Sequence, residues 1–210
     1  GNHEDWDILR EAADAAYDPA EAWPVRIQLA GDMVTSAGIP VAPADGPSGD
    51  PSVLWLPRGY RWEWHNRSWL AFGGAVSPNK VHLTEGWNWW PDEAITAEQV
   101  KNAIDAGHAD VVVSHDVPSG VHIQYPESPR SWLQEDLDAS DRNRGRLQVL
   151  ADGIQPHWWM HGHHHISYSK PVGMRHGTVE VAGLAADGID LNWLVLDVKT
   201  MEWQLRERES

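Results

Sequence analysis

Gly162-His163-His164-His165 is the densest run of metal-ligand chemistry in the chain. In an extended segment alternate side chains share a side, so His163 and His165 would project together and His164 would point away. Two imidazoles on one side, at the end of the strand-like run His157–His161, suit a divalent cation. A polar loop whose histidines face water is the competing reading of the same residues. Ser114-His115-Asp116 ends the apolar run Val111-Val112-Val113. There His115 can offer one ring nitrogen to a metal while an acceptor fixes the other, although a histidine at a strand end also serves purely structural roles. In Gly1-Asn2-His3-Glu4, Asn2 carries a neutral amide oxygen acceptable to a hard or borderline cation. The helix start beyond it favours an anion such as phosphate. His3 is then placed to move a proton or to contact a phosphate oxygen, while Glu4 and Asp5 read as first-turn acids. A simple asparagine turn and helix cap is the alternative.

The elements that must hold these groups alternate. Asp5–Ala16 reads as a helix, with Trp6, Leu9, Ala12 and Ala13 at helical spacing. Val25–Ala30 reads as a strand, residues 40–52 as a long loop, and Ser68–Gly74 as a buried strand ending in glycines. Thr96-Ala97-Glu98-Gln99 is a capping box opening a helix that stops at Gly107. Asp110–Ser114 is a short β-branched strand, and a helix is expected from Arg144 to Asp152. Thr178–Leu184, Asn192–Val198 and Met201–Leu205 alternate with period two, the last two as a hairpin. Strands mixed with helices, then strands alone, predict one α/β domain over residues 1–210.

Composition narrows the partners. Sixteen Lys and Arg against 31 Asp and Glu give a net charge of −15, which disfavours a nucleic acid backbone as ligand. A small anionic substrate remains compatible, because bound metal ions reverse the local field. The chain has no cysteine, which removes disulfides and thiolate ligands. No apolar run is long enough to span a membrane, and a cytoplasmic location is expected. Most of the 14 tryptophans are expected to serve packing. Trp87-Asn88-Trp89-Trp90-Pro91 reads either as an aromatic wall for a nucleobase or, preferably, as a hydrophobic plug.

In order along the chain, Gly-Asn-His-Glu, a histidine after a hydrophobic strand and Gly-His-His-His resemble the last three motifs of the calcineurin-like metallophosphoesterase superfamily. Gly73-Gly74-Ala75 lies between them, and together they span residues 1–165. The first two family motifs, Asp-x-His and Gly-Asp-x-x-Asp, have no match. Gly31-Asp32 follows Gly1-Asn2-His3 and lacks the second acid, so it does not replace them. The chain is therefore expected to be N-terminally incomplete, lacking one or two strands and a bridging aspartate. The resemblance implies a layered α/β sandwich of two mixed β-sheets flanked by helices.

The resemblance further implies two divalent metal ions (Mn, Fe, Zn or Ni), roughly 3.5–4 Å apart and bridged by an aspartate and a hydroxide. It assigns Asn2, His115 and His163 to one metal and His165 to the other. It makes His3 the residue that protonates the leaving oxygen or steadies the transition state. The implied activity is a phosphomonoesterase or phosphodiesterase acting on a small phosphorylated molecule by in-line attack of water. A nuclease of the same chemistry, or a non-catalytic binding or scaffold module, are the alternatives. With neutral ligands alone, this chain is expected to bind metal weakly and to turn over little.

Overall fold

A computed structural model of the protein describes residues 25–29, 32–36, 39–40, 54–124 and 132–207. The helix expected over Asp5–Ala16 lies outside the described residues, as do Asn2 and His3. Strands β1 (Val25–Leu29) and β2 (Asp32–Ser36) form an antiparallel pair, and β3 (Ile39–Pro40) pairs with β4 (Leu54–Trp55). The centre of the molecule is a six-stranded mixed sheet. Its members are β5 (Tyr60–Trp64), β6 (Arg67–Phe72), β7 (Val111–Ser114), β8 (Trp158–His161), β9 (Tyr168–Met174) and β10 (Gly177–Gly183). They are ordered β5-β6-β7-β8-β10-β9, with β6, β7, β8 and β10 mutually parallel and an antiparallel strand at either edge.

The parallel strands need crossovers, and two helices supply most of the connecting length. Helix α1 (Ala97–Asp105) starts at Thr96, whose hydroxyl accepts from the Gln99 amide at 3.1 Å while the Gln99 side chain accepts from the Thr96 amide at 2.9 Å. The capping box is formed as its sequence predicts. Helix α2 (Gln134–Ile154) ends at Gln155 in a left-handed conformation and begins ten residues before the expected Arg144. Its first half is polar and buries only Asp136 and Asn143, so it carries no apolar stripe to announce it.

Alternation along the central strands sorts the core into two layers. Leu70, Phe72, Val112, Trp159, Val179 and Val181 pack with Ile95, Val100, Leu147, Leu150 and Ile154 on the helical side. Trp69, Val111, Met160 and Ala182 face the other way. There they meet Leu194, Leu196 and Trp203 of a hairpin formed by β11 (Trp193–Asp197) and β12 (Glu202–Arg206). The Asp197 carboxylate accepts from the amides of Lys199 and Thr200 to shape that hairpin's turn. The architecture is α/β. Among the described residues the second layer is this antiparallel hairpin, where two mixed sheets were expected. No helix among them is long and apolar enough to cross a membrane.

Candidate metal centre

The parallel strands β7 and β8 lie side by side, so their carboxyl ends open on one edge of the sheet, where α/β proteins hold their ligands. His115 follows β7 and Gly162 follows β8, and the Gly162 amide donates to the His115 carbonyl at 3.1 Å. Behind this junction the Ser114 hydroxyl donates to the Asp116 carbonyl at 2.6 Å and accepts from the Trp159 indole at 2.7 Å. A buried indole thus fixes the turn that aims His115.

His115 and His163 are 48 positions apart, and their ring centroids stand 5.2 Å from each other. His164 lies against His163 at 4.8 Å, edge to face. Its Nε2 donates to Asp116 Oδ1 at 2.9 Å, with its side chain 4% exposed. Asp116 is fully buried. Its Oδ1 also accepts from the Val117 amide at 2.8 Å, and its Oδ2 accepts from the Asn143 amide group at 2.9 Å. Asn143, buried in α2, in turn accepts from the Ile95 amide at 2.9 Å. Burial alone raises the Asp116 carboxyl, but the His164 hydrogen bond, the fields of His163 and His164 and the Asn143 amide outweigh it and hold the pKa below the usual value.

The expected alternation over residues 163–165 does not occur. His163 and His165 both adopt left-handed backbone, with φ of 63° and 57°, so the segment coils instead of extending. His164, expected to face away, takes the inner position against Asp116. His165 is exposed and lies outside the group formed by Asp116, His163 and His164, whose ligand atoms all fall within 4.8 Å of one another. The structure therefore brings together His115 and His163 of the expected ligands and leaves His165 at the surface. Asn2 and His3 are outside the described residues.

Asp116, Asn143, His161, His164 and Tyr168 are parts of this neighbourhood that sequence reasoning did not assign. The position of Asp116, directly after the strand-end histidine, was the available signal. Nothing local marks Asn143. His161 is buried, its Nδ1 donating to the Gly162 carbonyl at 2.9 Å while its Nε2 accepts from the Tyr168 hydroxyl at 2.5 Å. Tyr168 reaches it because Gly183 has no side chain: a Cβ there would lie 2.5 Å from the tyrosine ring. Desolvation pushes both His115 and His161 down to about 3, so both rings are neutral at neutral pH.

Neutral imidazole is the form that binds a metal, so the donor set fits a borderline divalent cation. Of the described residues, Asp116, His163 and His164 present ligand atoms within 4.8 Å of one another, and the His115 ring adjoins His163. The Asp116 carboxylate accepts from His164 Nε2, the kind of outer contact that orients a histidine at a metal site. No protein-family profile matches the chain, and no curated protein matches it.

Proposed function

We propose that the chain is a divalent-metal-dependent phosphoester hydrolase acting on a small phosphorylated substrate. The observation that carries this reading is the convergence of His115 and His163 at 5.2 Å, on the carboxyl ends of adjacent parallel strands, backed by the Asp116–His164 pair. These histidines come from two separate motifs of the calcineurin-like metallophosphoesterase pattern, whose layered fold is part of the same proposal. In that pattern Asn2 is a further ligand and His3 handles the leaving-group proton, while His165, its remaining ligand position, stands exposed outside the cluster. Bound divalent ions supply Lewis acidity and an acidified water. The residues of the chain itself hold the His115 and His163 rings side by side and keep one buried carboxylate behind them.

The net charge of −15 favours a compact phosphorylated molecule over a nucleic acid strand. The test is hydrolysis of p-nitrophenyl phosphate and bis-p-nitrophenyl phosphate during titration with Mn, Zn and Ni. It is run on the 210-residue chain and on a form with a segment carrying the two aspartate motifs fused ahead of Gly1. Metal-dependent hydrolysis that disappears in His115→Ala and in His163→Ala supports the hydrolase. Metal binding without hydrolysis in either form overturns it in favour of a binding module.

A further inference from the structure

The opposite edge of the same two strands carries a second histidine group. His108 and Asp110 precede β7, and His157 precedes β8. The amides of His157 and Trp158 both donate to the Asp110 carbonyl, at 2.9 and 3.1 Å, which locks the two strand starts together. Asp110 Oδ1 lies 3.1 Å from His108 Nε2 and 3.6 Å from His157 Nδ1. Ligand atoms from the three residues all fall within 4.8 Å of one another. A tetrahedral zinc ion, with bonds near 2.0–2.2 Å, separates its ligands by about 3.3 Å. The two measured edges bracket that value.

The outer partners are arranged as for a ligand set. Asp110 Oδ2 accepts from the Ser68 amide at 2.8 Å and from its hydroxyl at 2.9 Å, which leaves Oδ1 as the inward oxygen. His108 Nδ1 lies 2.8 Å from the Ile154 carbonyl, an acceptor only, so this nitrogen carries the hydrogen. His108 Nε2 lies within hydrogen-bond distance of Asp110 Oδ1, at 3.1 Å, so ring and carboxylate converge on the point an ion would occupy. Beside the group is a cavity of about 600 Å³ lined by Asp110, His157, Trp158, His65, Arg67 and Lys199, which gives an ion access and room for a fourth ligand.

We propose that His108, Asp110 and His157 form a separate binding site for one borderline divalent cation of the zinc class, independent of the His115–His163 centre.

The experiment is zinc titration by calorimetry at neutral pH on the full chain, its His157→Ala variant and a His115→Ala/His163→Ala variant. The site predicts that His157→Ala weakens one zinc equivalent at least tenfold, and that this equivalent persists in the double variant. Loss of both equivalents together in the double variant, or unchanged zinc binding in His157→Ala, overturns it. Histidine-ring proton–nitrogen correlation spectra of the unsubstituted chain provide a readout that needs no variant. Zinc must shift the His108 and His157 ring signals, and signals that stay put at saturating zinc overturn the site.

Discussion

His164 Nε2 lies 2.9 Å from Oδ1 of the fully buried Asp116, so the middle histidine of the Gly-His-His-His run faces the interior. A carboxylate in that position needs its donors, since a charge left unpaired in a buried site is costly. His164→Ala removes one of three side-chain or backbone donors to Asp116, and stability should fall by about 1–3 kcal/mol. His165→Ala, at an exposed position, should change it by no more than about 0.5 kcal/mol. Urea denaturation of the two variants measures the difference, and equal effects would contradict the inward placement of His164.

The buried histidines make the metal-free chain sensitive to acid. Burial pushes His115 and His161 down to about 3 in the folded chain, against about 6.5 for a free imidazole. Between those values the unfolded chain takes up protons that the native state refuses. Their contribution is therefore fully present above about pH 6.5 and is lost as pH falls toward 3, at up to about 1.4 kcal/mol per pH unit for each ring. Asp116, held low, adds a loss in the same direction below about pH 4. Denaturant titrations in chelator from pH 7.5 to 4.5 should show this slope; flat stability across that range would contradict it.

Gly183 is a steric requirement of the Tyr168–His161 contact. Gly183→Ala places a methyl 2.5 Å from the tyrosine ring and 3.0 Å from the Ile166 carbonyl. The ring must move, and the His161 nitrogen then loses its donor inside the core. A fall of about 1–3 kcal/mol is expected. Thermal unfolding is the measurement, and an unshifted midpoint would show that Tyr168 relocates at no cost.

Under the hydrolase reading, divalent metal should raise the melting temperature at neutral pH, and chelation should reverse the rise. His115→Ala and His163→Ala should each weaken the metal by at least tenfold at this centre, an effect of the scale that even indirect partners of a metal produce. Differential scanning fluorimetry with and without zinc reads the effect. An identical metal-induced shift in both variants and the parent chain would remove these residues from the ligand set.

Legibility followed the range of the signal. The Thr96 capping box, the Val111–Val113 strand and the closing hairpin were readable because each depends on residues a few positions apart. Strand β9 escaped because Pro171 interrupts it; the strand lies at the sheet edge, where a residue lacking an amide hydrogen is tolerated. The polar start of α2 escaped because its buried residues are Asp136 and Asn143, polar side chains that form no hydrophobic face. At the candidate centre, His115 and His163 were legible from motif and strand end. The inward turn of His164 was not, because it depends on a backbone choice at its neighbours. Asn143 reaches Asp116 across 27 positions with no local pattern to betray it.

The left-handed conformations of His163 and His165 have a kinetic consequence. Each costs about 1–3 kcal/mol and persists only because the surrounding fold imposes it. The coil is thus set during folding, and under the hydrolase reading an arriving ion would meet the described rings already aimed. Capture would then run at the pace at which the hydrated ion sheds its water, and so would differ between nickel and zinc.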